Sequence, residues 1–494
     1  MPTNSYDLIV VGDDFAGLVA AALCARRGLR VLVLSHGGRP GSYNLGPHRL
    51  PAAPMALTGL STPAVQRVLD ELHLTHTLRR KLDGPQQGFQ FVGPDVRLDV
   101  SADEQALAAA IARELPSGAA EDVCTSSAAV AEHFDAALGG DGEFPPTGFW
   151  KRREGGKSAA KLTEAAAEWS EGFESDAMAR ALVSLPALLD THIDPTQLSA
   201  AARARSFHLW RHGVARLRGN HEALRELLDE VFAKSSGERR EARVQGLTYR
   251  WGKVSGVTLE GGEELGAEQV IMALPVDEIV PLVDRKLPKR LSQCADAITV
   301  CGYRYTWNLI VDQSGIPEGM SSPVVLVDDP AAALTGDNAV GIFVGEPDPE
   351  GRVIVTVSAT CPAPAEGESL AAALAALRGR LRERVDAVMP FLDEHILVSH
   401  SPHEERAPEG AEVARLSPPP VIAPAPVWSS ELEAAFDVSA MPYNVGLKNL
   451  TVASGQVLPQ LGLEGSFVTG WSAAATVSES SGKKREYREV IAGG

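Results

Sequence analysis

One stretch near the start constrains this chain more than any other. Residues 6–42 read YDLIVVGDDFAGLVAAALCARRGLRVLVLSHGGRPGS. Leu8 to Val11 form a short apolar run rich in β-branched residues and closed by Gly12, the pattern of a strand buried on both faces. Ala16 to Arg27 consists of helix formers, with Gly28 placed as a C-terminal stop. Leu29 to Leu34 is a second buried strand. Strand, tight turn, helix and strand make a βαβ unit, whose turn can receive a dinucleotide's pyrophosphate.

The turn departs from the G-x-G-x-x-G pattern that a dinucleotide asks for. Its first and third glycines stand as Gly12 and Gly17, but the second position is Asp14, preceded by Asp13. The middle glycine lets the backbone approach the pyrophosphate. A carboxylate there adds bulk and like charge. At about 4 Å two unit charges repel by roughly 1 kcal/mol in water and roughly 4 kcal/mol at an effective dielectric of 20. That is an affinity loss of about tenfold to a thousandfold. The acid that should end the second strand and hold a ribose hydroxyl is replaced by Ser35. Gly12 and Gly17 serve turn geometry and helix–strand packing as well as cofactor contact.

A length of 494 residues supplies core for two or three domains, and 44% apolar with 22% charged residues is ordinary for a globular protein. The net charge of −18 argues against nucleic acid and against anionic membrane surfaces. Five scattered cysteines (Cys24, Cys124, Cys294, Cys301, Cys361) form no CxxC pair, which predicts reduced thiols rather than disulfides or a metal site. No signal peptide precedes the first strand and no run of about 18 apolar residues occurs. The expectation is a cytoplasmic protein with no transmembrane segment.

Further along, Val65, Val68, Leu69 and Leu72 mark one face of a helix over Thr62 to Leu74. Phe89 to Val100 reads as two short strands around Gly93-Pro94, and Ala102 to Glu114 as a helix capped by Ser101. Ser117 to Ser127 reads as loop before a helix from Ala128 to Leu138. Gly139 to Gly156 reads as a Gly/Pro-rich connection, followed by two or three helices over Lys157 to Ala204. Asn220 to Lys234 reads as helix. Strands are expected at Glu241 to Tyr249, Lys253 to Leu259 and Glu268 to Met272, with a hairpin turn at Glu260-Gly261-Gly262. Beyond lie strands at Gly302 to Val311, Val324 to Val327, Val340 to Val344 and Val353 to Ser358, and a helix over Ser369 to Val388. Leu416 to Pro426 is Pro-rich and extended, a wall or a linker. No fixed-period repeat is visible.

Three separated blocks, in order, resemble the phytoene desaturase and amine oxidase group of FAD-dependent oxidoreductases. They are Tyr6 to Ser42, where Arg39-Pro40-Gly41-Ser42 resembles an R-x-G-G element; His212 to Pro275; and Asn449 to Ala475, NLTVASGQVLPQLGLEGSFVTGWSAAA. They cover about a quarter of the chain. The resemblance implies an α/β fold: a discontinuous FAD/NAD(P)-binding Rossmann-like domain from residues 1–60, 205–280 and 430–494, with an α+β substrate or cap domain from 61–204 and 281–429. It implies FAD as cofactor, with Gly12, Asp14, Phe15, Ala16 and Gly17 at the pyrophosphate turn and Ser35, Arg39, Gly41 and Ser42 after the second strand. Val244 would meet the adenine through its backbone and Ala273 would lie near the cofactor. Gly455, Gly462, Glu464 and Gly465 would face the ribityl chain and flavin, where a helix N-terminus suits the negative charge of a reduced flavin.

Against the same pattern, Asp14, Ser35, Ser42 and His212 replace expected residues, and Gln456 stands near where amine oxidases often carry an acid. A cation bound with Asp14, or the charge of Arg39, would compensate. His36, His208, His212 and His221 each stand alone, as surface or hydrogen-bonded histidines do. Trp471 suits core packing as well as flavin or substrate contact. Tyr303, Tyr305 and Trp307 alternate on one strand face, either a packed sheet or a pocket lining. An aromatic content of 5% gives little for an amine-binding cage. No catalytic triad, P-loop or metal cluster is seen. The first reading is an FAD-dependent oxidoreductase taking hydride from a small apolar or amine-type substrate. The second is a non-catalytic binding protein with a protein or lipid partner, as in the Rab GDP dissociation inhibitors, which use a similar architecture without flavin. An NAD(P)-dependent reductase is a third reading, without a second G-x-G-x-x-G to support it.

Overall fold

The structure, a computed structural model, describes residues 5–480 except 55, 83–87, 116–119, 140–142, 147–148, 218–221, 414–415, 418 and 433–436, and omits the side chains of 120–122, 124–126 and 149–156. The first two strands, β1 (Ser5–Val11) and β2 (Val31–Leu34), flank a helix over Phe15–Arg26. Two hairpins follow, β3 (Ser42–Leu45) with β4 (His48–Pro51) and β5 (Phe89–Gly93) with β6 (Val96–Val100). After a helical stretch come β7 (Glu238–Arg240), β8 (Val244–Arg250), β9 (Lys253–Leu259) and β10 (Glu264–Met272). The rest are β11 (Ile298–Asp312), β12 (Val324–Val327), β13 (Ala339–Val344), β14 (Arg352–Pro362), β15 (Ile396–His400), β16 (Ala425–Ser430) and β17 (Leu450–Val452).

The first sheet runs β7-β2-β1-β10-β9-β8, with β17 on β10. Its centre is parallel: Leu8 to Val11 lie beside Gln269 to Met272 on one side and Val31 to Leu34 on the other. A parallel sheet is covered on both faces, which is why these strands read as unbroken apolar runs. The helices Phe15–Arg26 and Gly462–Ser480 pack together beside it, with Phe15 edge-on to Phe467 at 5.3 Å between centroids. Gly17 is what lets the first helix settle on the sheet: a Cβ there would stand 2.3 Å from Ala273 Cβ.

The second sheet runs β15-β11-β14-β13-β12-β5-β6, with β16 on β11, and is antiparallel except where β12 meets β5. Helices over Ala120–Leu138, Phe149–Glu171, Ala177–Asp190 and Ala200–Arg211 precede β7. Three expectations are corrected here. Residues 120–127 belong to a helix rather than a loop. Ser and Thr disfavour helix interiors only weakly, and the buried Val123, Val130 and Phe134 bind this one into the core. Phe149 to Gly156 likewise continue a helix through a glycine pair. The helix starting at Glu104 is capped by Asp103, whose Oδ1 accepts from Ala106 N (3.0 Å), not by Ser101.

Candidate functional site

A cavity of ≈ 750 Å³ runs from the N-terminus of the first helix to the face of the second sheet. Its exposed rim includes Gly37 to Pro40, Arg243, Glu260, Asp277 and Pro281. Its depth is lined by Leu189, Asp190, His192, Arg304, Trp428, Leu458, Gly462, Leu463 and Thr469. The Pro-rich segment forms one wall through Ile422, Ala423, Ala425 and Pro426.

Of the residues expected at a cofactor, Asp14, Phe15, Arg39, Gly41, Val244, Ala273, Gly455, Gly462 and Gly465 border this cavity. Gly12, Ala16, Gly17, Ser35, Ser42 and Glu464 are not on its wall. Gly12, at φ +95, is packed against the Ala273 carbonyl: a Cβ would meet that oxygen at 2.3 Å. Ser42 opens β3 and accepts from Arg49 Nε (3.1 Å). Glu464 turns the other way altogether. It is buried in a bidentate pair with Arg205 (Oε1–Nη2 2.7 Å, Oε2–Nε 2.9 Å), and Arg205 also reaches Asp135 at 2.6 Å. An Arg fork takes both carboxylate oxygens, so little of Glu464 is left for a ribityl hydroxyl.

The dinucleotide turn has closed on itself. Asp14 caps the first helix, with Oδ1 accepting from Ala16 N (3.0 Å) and Oδ2 from Gly455 N (3.3 Å). A helix N-terminus holds anions because its first N–H groups lack partners, and here the chain's own carboxylate takes that place. Burial raises the pKa of Asp14 and outweighs these two hydrogen bonds. Asp13 leans out between Arg225 and Arg239, 3.8 Å from each, while Arg225 Nη2 donates to the Asp13 carbonyl at 2.7 Å. The adenine position is treated alike. His36, in the left-handed region at φ 51, accepts the Val244 N–H on Nδ1 (2.9 Å). Burial and nearby Arg243 lower the pKa of His36, and accepting on Nδ1 puts the proton on Nε2. Ser35 Oγ donates to Glu241 Oε2 at 2.8 Å, so a carboxylate does stand at the end of β2, supplied from the connection just after β7. Glu241 was not foreseen, because its sequence position lies 206 residues away.

The deep end was also unforeseen. Arg304 is buried and spends its guanidinium on Leu188 O (2.7 Å), Thr191 O (2.5 Å) and Thr360 Oγ1 (3.0 Å). Those bonds fix the chain at 188–191 and so aim Asp190 and His192. Asp190 accepts from Thr58 Oγ1 at 3.3 Å and sits under Gly462, where a Cβ would lie 2.6 Å from its Cγ. Burial pushes the Asp190 carboxyl up to about 7. His192 Nδ1 lies 3.2 Å from the Pro426 carbonyl and so carries the proton, leaving Nε2 as an acceptor. Burial lowers His192 to about 4, so the ring is neutral. Together these place an acid of raised pKa, a neutral base and a buried cation at the deep end of the cavity. No spacing marks them in sequence; the helix end at Asp190 and strand β11 bring them together.

Among the other residues singled out, His208 and His212 stack at 4.2 Å and do not border the cavity, and His221 lies outside the described residues. Trp471 lies under Arg27 and Arg67, 5.2 and 4.6 Å from its centroid. Tyr305 and Trp307 bond to Glu404 and Ser399, while the alternate face of β11 brings Arg304 to the cavity. Gln456 Oε1 accepts from Val276 N at 2.8 Å. Among the described residues no three His, Cys, Asp or Glu groups could hold a metal, and no helix is long and apolar enough to cross a membrane.

Comparison with known proteins agrees with this architecture. Residues 10–72 match an NAD(P)-binding Rossmann-like domain. A stretch of 79 residues is 38% identical to a probable electron transfer flavoprotein-quinone oxidoreductase of Escherichia coli strain K12, and covers 16% of this chain and 16% of that protein. Over 97% of the chain the fold superposes on putrescine oxidase (all of that chain, TM-score 0.60, 15% identity). Cyclohexylamine oxidase of Brevibacterium oxydans matches over 96% of this chain and 99% of its own (TM-score 0.58, 17% identity). A Rab GDI of Plasmodium falciparum matches over 97% and 98% (TM-score 0.52, 12% identity). The chain has the fold of the amine oxidase and FAD-dependent oxidoreductase superfamily.

FAD does not fit this site as folded. Ala16 N, which would meet its pyrophosphate, and Gly455 N, which would face its ribityl chain, are both taken by the Asp14 carboxylate, and Val244 N is taken by His36. A phosphate brought there would displace those bonds and face a buried carboxyl.

Proposed function

We propose that this chain is a binding protein on the amine oxidase fold that has given up FAD. It takes a small, largely apolar molecule with one polar group into the deep end of the cavity. The observation that carries this reading is the Asp14 carboxylate, bonded to Ala16 N in the dinucleotide turn and to Gly455 N opposite it. The apolar side chains Leu189, Leu458, Leu463 and Trp428 would exclude water from such a ligand, while Asp190 and His192 would meet its polar group, giving or taking a proton at Asp190 Oδ1 or His192 Nε2.

A second reading, an FAD-dependent oxidoreductase acting on an apolar or amine-type substrate, is favoured by the volume of the cavity and by Arg39, Arg225 and Arg243 along it. Absorbance separates the two. Purified protein incubated with FAD and passed through a gel-filtration column should show no flavin bands, whereas Asp14→Gly with Ser35→Glu should retain them. Flavin bands surviving in the unmodified protein would overturn the binding-protein reading.

A further inference from the structure

The tip of the β8–β9 hairpin carries an unusual residue. Arg250 pairs with Lys253, so the turn is two residues, Trp251-Gly252, with φ 55 and 76. Both positions of such a turn need positive φ, which favours Asn-Gly; a bulky side chain at the first is a backbone outlier. Trp251 is also 89% exposed. The backbone strain therefore holds an indole out into solvent rather than into any core.

Around this tip three segments converge. Arg285 stacks on the Tyr249 ring, 3.3 Å from its centroid. Val254 N donates to Lys448 O (3.0 Å), and Arg290 Nη1 donates to Asn444 O (3.0 Å). Residues 248–254, 284–290 and 444–449 thereby gather seven exposed cations, Arg250, Lys253, Arg285, Lys286, Lys289, Arg290 and Lys448, against the single acid Asp284. None of the seven has an ion pair among the described residues, whereas Arg205, Arg378 and Arg384 elsewhere are each tied to two carboxylates.

We infer that this collar and its central tryptophan form an attachment site for an anionic phospholipid surface. Indole rings settle at the headgroup level, where one side is apolar and the other wet. Lysines and arginines near an anionic surface each add attraction worth about fivefold in affinity. Screening over about 8 Å at physiological salt confines the interaction to the patch, so the distant excess of acid across the chain does not cancel it. The tip is convex and lies at the far end of β8 from Val244 at the cavity, about 20 Å along the strand.

The test is sedimentation of the full chain with phosphatidylcholine vesicles, with and without phosphatidylserine. The unmodified protein should pellet with the phosphatidylserine vesicles only, and high salt should release it. Lys286→Gln with Lys289→Gln should weaken binding about thirtyfold, and Trp251→Ala should weaken it at unchanged charge. All three positions are exposed, and circular dichroism melts should be unaltered. Failure to pellet, equal pelleting with both vesicles, or retention on heparin without vesicle binding would overturn the inference; the last would assign the patch to a polyanionic chain. None of these outcomes depends on whether flavin binds.

Discussion

Asp190 is an acid enclosed by the fold, and its protonation is tied to folding. In an unfolded chain an aspartate titrates near 3.9, and here burial lifts it to about 7. A carboxyl raised on folding contributes stability that is whole below about pH 4 and is lost as pH rises to about 7. Asp190→Asn should therefore match the parent near pH 4 and exceed it by about 4 kcal/mol at pH 8, measured by urea unfolding across that range. His192 runs the other way. Lowered from 6.5 to about 4, it contributes stability present above pH 6.5 and lost as pH falls through that window. The pair thus contributes opposed slopes, and the asparagine variant should remove the acid's share. At this scale the sequence revealed the anomaly at Asp14 as bulk and charge in a turn, but not its resolution. The partner Gly455 lies 441 residues away, beyond any local pattern.

Elements were legible where one periodicity dominated. The unbroken runs of β1 and β2, the alanine-rich helix between them and the β5–β6 hairpin around Gly93-Pro94 stand as their residues suggest. The helix over Ala120–Leu138 was hidden by a Ser/Thr cluster, since its stability comes from packing rather than propensity. Gly17 shows why glycine in such a helix is ambiguous. The residue is required for contact with Ala273 whether or not a ligand is present. Gly17→Ala should lower stability by about 1–3 kcal/mol in chemical unfolding through overpacking alone, so loss of function there would say nothing about a cofactor.

For the molecule as a whole, the cavity is a product of assembly. Its walls come from the start, middle and end of the chain, which is why the turn residues were visible in sequence while Asp190, His192 and Arg304 were not. Net charge was equally blind, as an average of −18 conceals a cationic collar. One buried cation ties distant parts: Arg205 joins the last helix, through Glu464, to Asp135 on the helix 120–138. Arg205→Met leaves Glu464 buried without its partner, and should cost about 3–5 kcal/mol with a matching drop in Tm by calorimetry.

The order of strands in the first sheet also sets a schedule for the newborn chain. β1 can pair with β2 at once, but its other edge waits for β10, which starts at Glu264, and β10 in turn waits for β17 at Leu450. At a ribosomal rate of about 5–20 residues per second, the first wait alone is roughly 10–50 s. Throughout it, Leu8 to Val11 present an unpaired apolar edge, the kind of surface that draws other chains or a chaperone. Synthesis of this protein is therefore a race between elongation and aggregation, and its yield in a cell depends on what shelters the first strand until the later ones arrive.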